Sequence, residues 1–206
     1  MKTQDLKIIV IEKNEVLSGA YKGYFETFTD YVLAGTYTDV QKALKDFKKT
    51  KPDIIVSEIG LQGINGIDAI RLFRKKNRNV QIIMISTIND FDVIKKAFKH
   101  GANGYLTKPM TADKLHHALT SVKREGAAMS SDIVKKVVAN FHKKSFNLFS
   151  ERENQIVDYL FKGATYKVIA DKLFVTTSTV NFHIQNIYLK LDVNSKSEAL
   201  TKLERM

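Results

Sequence analysis

Cysteine is absent from the 206 residues. That absence excludes disulfides, thiolate zinc sites and a cysteine nucleophile. The five histidines are scattered and show no ligand spacing, so any metal chemistry would have to rest on carboxylates. Also missing is any apolar run near the roughly 18 residues that a membrane helix needs. The Met1 to Ile11 segment has neither the charge layout nor the apolar length of a secretory signal. A soluble, cytoplasmic protein with no membrane partner is the expectation. No internal repeat or low-complexity tract interrupts the chain. Negative charge is in deficit, with 22 Asp and Glu against 33 Lys and Arg and a formal net charge of +11. A positive excess favours polyanionic partners, because neutralised phosphates release condensed counterions. Residues 1–130 hold 21 Lys and Arg against 14 Asp and Glu, and residues 131–206 hold 12 against 8. The excess is spread over both halves, so charge supports nucleic-acid binding without locating it.

What is present is enough apolar side chain, 44% of the residues, to give each of two ordinary domains its own core. The first 125 residues alternate short apolar runs with longer amphipathic stretches, the pattern of a parallel sheet covered by helices on both faces. "KIIVI", "YVLAGTY", "DIIVS", "QIIMIS" and "GYLT" read as five strands, and five helical stretches follow them. Asp39, Asp90 and Thr111 stand where N-caps belong. In such doubly wound α/β sheets, sites gather beyond the carboxyl ends of the strands. From Ser121 to about Phe149 a small-residue stretch and one helix, Ser131 to His142, read as a linker. After Ser150 the pattern is all helix. The expected domains are residues 1–124, a linker over 125–147, and residues 148–206.

In the carboxyl-terminal stretch, Ser150 and Glu153 form a capping box that opens a helix with apolar Ile156, Val157, Leu160 and Phe161, and Gly163 stops it. Two short helices then meet across a break at "FVTT", packed around Ile169, Leu173, Val180 and Ile187. The helix beginning near Thr177 places Asn181, Phe182 and Gln185 on a different face from its core residues, and a helix of this size fits the major groove. The segment Phe149 to Leu203, with "SERE", "KVIADKLF", "STV", "NIYLKL" and "SKSEA" at fixed spacings, resembles the LuxR-type (NarL/FixJ) DNA-binding domain, an all-α four-helix unit. The resemblance directs Asn181, Phe182 and Gln185 toward base edges and puts Thr177, Ser178, Thr179, Lys167 and Lys190 near phosphates. It also implies dimerisation through the last helix, Lys196 to Arg205, which carries Ala199, Leu200 and Leu203 on one side. Relatives often hold Lys at the base-facing positions where this chain has Asn181 and Gln185. Asn and Gln can bind adenine bidentately, which shifts readout toward A·T pairs and flattens the salt dependence.

Residues 5–124 resemble a response-regulator receiver domain, a flavodoxin-like fold, through "PDIIVSEIGLQGINGIDAIRLFR", Ser86 at the end of strand four, and Tyr105 three residues before Lys108 and Pro109. The family's chemistry is phosphoryl transfer to an aspartate, with a divalent cation and a lysine holding the oxygens. It needs an acidic pair after strand one and an Asp after strand three. Here those positions read Glu12, Lys13 and Glu58. A glutamate carboxylate projects roughly an ångström beyond an aspartate's, out of in-line geometry, and Lys13 presents a cation where a metal ligand belongs. The expectation is therefore an ion-pair cluster of Lys13, Glu12, Glu58 and Lys108 in place of metal and phosphate. Mg²⁺ binding is expected to be lost, Glu58 to stay unphosphorylated, and the receiver to be fixed in one state. Paired carboxylates for acid/base work are set aside because Lys13 stands beside them and no nucleophile and base pair accompanies them. The resulting reading is a phosphorylation-independent, dimeric, double-stranded-DNA-binding transcription regulator with no enzymatic role. The alternative is an adaptor whose receiver sequesters a signalling protein, and the face formed by helix four, strand five and helix five is one candidate place for a partner that sets activity, beside protein abundance or a small ligand.

Overall fold

The computed structural model describes residues 5–141 and 146–206. Its chain separates into two compact units, with the division between Asn140 and Phe141. His142, the expected end of the linker helix, lies outside the described residues.

In the first unit, β1 (Leu6–Ile11), β2 (Tyr31–Tyr37), β3 (Ile54–Glu58), β4 (Gln81–Ser86) and β5 (Gly104–Thr107) alternate with five helices. These are α1 (Glu15–Glu26), α2 (Val40–Thr50), α3 (Gly66–Lys76), α4 (Phe91–Lys99) and α5 (Ala112–Glu125). All five residues of β3 are buried, as a strand covered on both faces requires. One core layer joins Ile9, Ile55 and Met84 to Phe47 of α2, Phe73 of α3 and Ile94 of α4. The other joins Val10, Val56 and Ile83 to Tyr21 of α1 and Leu119 of α5. The side chains of Asp39, Asp90 and Thr111 accept from backbone N–H groups of the first helical turns of α2, α4 and α5, the expected N-caps.

The sheet has six strands and not the expected five, in the order β2-β1-β3-β4-β5-β6, and every pairing is parallel. The sixth, β6 (Ala128–Met129), lies inside the stretch read as linker and is followed by α6 (Ser131–Phe141). Ala128 N–H donates to Asn103 O at 3.1 Å, and Ser130 N–H to Tyr105 O at 3.2 Å. Gly104 makes this approach possible, since a Cβ there would meet the Ala128 carbonyl oxygen at 2.8 Å. Thr107 Oγ1 donates to Asp132 Oδ1 at 2.9 Å, and Ile133 is fully buried in the same layer as Ile94 and Ala97 of α4. The chain's own β6 thus lies on β5, part of the face considered above for a partner.

The second unit holds α7 (Glu151–Phe161), α8 (Tyr166–Leu173), α9 (Thr177–Leu191) and α10 (Lys196–Arg205). Ser150 and Glu153 form the reciprocal capping box. The Asn154 amide clamps the entering chain, accepting from Phe146 N–H at 2.9 Å and donating to Phe149 O at 3.2 Å. Ile156, Val157, Leu160, Ile169, Val180, Ile184 and Ile187 make the core. Phe161, expected on the buried side of α7, is instead exposed. Ala199 and Leu203 are fully buried inside the unit. The apolar side of α10 is therefore largely spent on its own core, and only Leu200 of that trio keeps partial exposure. No described helix is long and apolar enough to cross a membrane.

Candidate nucleic-acid interface and receiver pocket

The face of α9 is set by one alternation. Val180, Ile184, Ile187, Tyr188 and Leu191 point into the core, whereas Asn181, Phe182 and Gln185 are exposed, Phe182 by 62%. Burial of the first set fixes the helix, so the second set projects as a rigid row of one amide, one ring and another amide. Thr176 caps α9: its hydroxyl accepts from Thr179 N–H at 3.2 Å and lies 2.8 Å from Ser178 Oγ and 2.9 Å from Thr179 Oγ1. Thr177 and Ser178 are exposed at this first turn, while Thr179 is half-buried with its hydroxyl engaged. Lys167 stands exposed on α8. Lys190 departs from its expected place. Its ammonium is 2.7 Å from Oε2 of buried Glu153, so its charge is held within the unit. Burial raises the Glu153 pKa, but the Lys190 ammonium and the Ser150 groups outweigh it and hold the carboxyl below its ordinary value.

The receiver pocket sits at the carboxyl ends of β1, β3 and β5, where the strand order reverses between β1 and β3. Glu12 follows β1, Glu58 ends β3 and Lys108 follows β5. The Lys108 ammonium bridges both carboxylates, at 2.7 Å from Glu12 Oε2 and in direct contact with Glu58 Oε2. The other two oxygens turn back to the chain. Glu12 Oε1 accepts from Asn14 N–H at 2.9 Å, and Glu58 Oε1 accepts from Ile59 and Gly60 N–H at 2.7 and 3.2 Å. Glu58 and Glu12 are 8% and 2% exposed, deep enough for unpaired charge to be expensive. Burial pushes the Glu58 carboxyl up, but Lys108 and the two N–H donors overcome it and hold it below its usual range. Burial likewise disfavours the Lys108 ammonium, yet Glu12 and Glu58 raise its pKa above that of an ordinary lysine.

Lys13 corrects the expected four-membered cluster. Its ammonium donates to the Gly60 carbonyl and not to either carboxylate, because residue 13 lies on the exposed lip of the pocket while Lys108 enters between the acids. Gly66 is required nearby, since a Cβ there would meet the Glu58 carbonyl oxygen at 2.1 Å. Ser86, buried, accepts from Ile88 N–H at 3.2 Å, and fully buried Tyr105 donates to Ile88 O at 2.6 Å. Burial raises the Tyr105 phenol pKa to about 12, so it stays a donor. The Lys108–Pro109 peptide is cis. Sequence reasoning missed Tyr21 of α1, buried, whose phenol pKa is raised by burial and then by the charges of Glu12 and Glu58. Its one signal was an aromatic on the apolar face of α1.

The donor set does not fit a divalent cation. All four carboxylate oxygens are engaged within the protein, one ammonium lies between the acids and a second holds the adjacent Gly60 carbonyl. A cation entering there would have to displace Lys108 against two positive charges. Among the described residues no group of three or more His, Asp or Glu is arranged to hold a metal.

Residues 8–120 match the family described as response regulator receiver domain, and residues 147–203 match bacterial regulatory proteins, luxR family. The chain belongs to the response-regulator family, with a luxR-type second unit. It is 28% identical over 200 residues to the transcriptional regulatory protein YdfI of Bacillus subtilis (strain 168), covering 95% of this chain and 93% of that protein. It is 26% identical over 190 residues to the transcriptional regulatory protein MctR of Rhizobium johnstonii, covering 92% and 89%. A structure of the two-component response regulator RcsB in complex with DNA shares the fold, with a TM-score of 0.65 at 16% identity over 98% of each chain.

Proposed function

We propose that this response regulator is a homodimeric transcription regulator that holds duplex DNA with α9 in the major groove, and that its receiver works without phosphoryl transfer. The observation carrying the first part is the exposed row Asn181, Phe182 and Gln185 on a helix whose opposite side is locked in the core. The two amides suit adenine edges, and Phe182 suits a thymine methyl. Thr177 and Ser178 at the first turn, with Lys167 on α8, take the phosphate role. Lys190 is reassigned to holding Glu153. The RcsB chain of like fold was solved on DNA, which agrees with this use of the second unit. The second part rests on the filled pocket: an internal ammonium satisfies both acids, and Glu58 directs no free oxygen outward.

Genome-wide footprints of the full chain test the reading. An ordered two-fold motif is the expected result, because a symmetric dimer demands matching half-sites. The absence of any enriched motif overturns it. Gln185→Ala is expected to remove roughly 1–3 kcal/mol of discrimination at one base position, measured by competition between point-substituted duplexes. Unchanged discrimination removes Gln185 from the reading row. Lys167→Ala is expected to weaken all duplexes alike and to lower the salt slope by about one. A loss confined to one sequence contradicts its phosphate role.

A further inference from the structure

The positive charge of the first unit is concentrated on one face. Residues 40–51 and 66–78, which hold α2, α3 and their carboxyl ends, contain ten Lys and Arg against two Asp, whereas the rest of residues 1–130 contains 11 against 12. The two helices are neighbours in the same layer. Phe47 and Phe73 stack at 5.9 Å between centroids with planes 30° apart, which brings the last turns of α2 and α3 side by side. Lys48 and Lys49 follow Phe47, and Lys75 and Lys76 lie just beyond Phe73. All four are exposed, and among the described residues none of these four has an ion-pair partner. The two acids of the face are already occupied: Asp46 accepts from Tyr37 Oη at 3.4 Å, and Asp68 lies 3.8 Å from Lys96. Arg74 is also committed, with donors to Gly101 O and Asn103 Oδ1 at 2.6 Å, and so serves as a strut.

Lysines in the last turn of a helix are ordinarily explained by the helix dipole. Here two such ends are pressed together, their combined repulsion is uncompensated, and the remainder of the unit is close to neutral. A surface of that kind lowers its free energy by meeting fixed negative charge. We infer that the α2–α3 face is a second contact for the phosphate backbone of duplex DNA, independent of sequence. A duplex is favoured over an acidic protein because the second unit, on the reading proposed above, tethers duplex to the same chain and so raises its effective concentration. Lys45 and Lys49 are one turn apart on the outer side of α2, a separation of about 6 Å. This is comparable to the axial span of two phosphates on one strand at about 3.4 Å each. The inference rests on the DNA-binding reading and adds to it a role for the receiver: non-specific hold without base readout.

The test uses the full chain and a non-operator duplex titrated over a range of salt. A K48Q/K49Q/K75Q/K76Q variant is expected to lose about 3.6 from the slope of log K against log salt, near 0.9 per phosphate contact, while keeping its footprint motif. A K22Q/K99Q/K114Q/K135Q variant removes equal charge from exposed lysines elsewhere and is expected to keep most of the wild-type slope. Equal slopes for the two variants overturn the inference by reducing it to net charge. So does a quadruple α2–α3 variant that matches wild type, the outcome expected if the face serves an acidic protein instead. If wild type retains no duplex at any salt, the DNA-binding reading falls and this contact falls with it.

Discussion

Lys108→Met is expected to lower stability by about 3 kcal/mol at pH 7, measured by urea unfolding. The figure follows from leaving two buried carboxylates, Glu12 and Glu58, without their shared cation. It is set at the lower end for breaking a buried pair because the lysine side chain keeps 12% exposure. The pH dependence has a definite sign. The Glu58 carboxyl is held low in the folded protein, so its stabilisation is complete above the ordinary glutamate value near 4.3 and is lost as pH falls through the folded value. Lys108 is held high, so its contribution is complete below the ordinary lysine value near 10.4 and is lost as pH rises through the folded value. Between about pH 5 and 10 wild type should show its full advantage over the variant. In acid the difference should shrink, since a protonated Glu58 no longer needs a cation. A difference independent of pH would mean that methionine merely packs badly.

The second large effect is chemical. Acetyl phosphate with Mg²⁺ is expected to leave wild type unlabelled, whereas the double variant Lys13→Asp, Glu58→Asp should incorporate phosphate, read by intact mass. The shorter side chain at position 58 withdraws from the Lys108 contact, and an acid at position 13 removes the ammonium from the Gly60 carbonyl while supplying a carboxylate. Both changes are needed, because either alone leaves an internal group on part of the site. Labelling of wild type to high occupancy would overturn the proposal that the receiver works without phosphoryl transfer.

Much of the architecture could be read from patterning, because burial imposes period. The runs "YVLAGTY", "QIIMIS" and "GYLT" match β2, β4 and β5 residue for residue. The capping box at Ser150 was equally legible, since its chemistry is local. β6 was not: two residues have no period, and the strand exists because Asn103 and Tyr105 offer carbonyls to it. The pocket residues were identified, but Lys13 was paired by charge alone. Whether an ammonium meets a carboxylate or a carbonyl depends on backbone direction after β1, which composition does not encode. The pairing of Lys190 with Glu153 is hidden for a related reason, the two being 37 positions apart. On α10, Ala199 and Leu203 resembled an assembly surface because a single sequence does not distinguish two destinations for one apolar stripe.

The pairing of β6 with β5 bears on where this polypeptide can be cut. The receiver match stops at residue 120, yet the outer carbonyls near β5 are capped by Ala128 and Ser130, and Ile133 plugs the layer beside α4. A fragment trimmed to the family boundary would present a raw strand margin, the sort that recruits other chains into mixed sheets. The tail is therefore the last stave of the receiver.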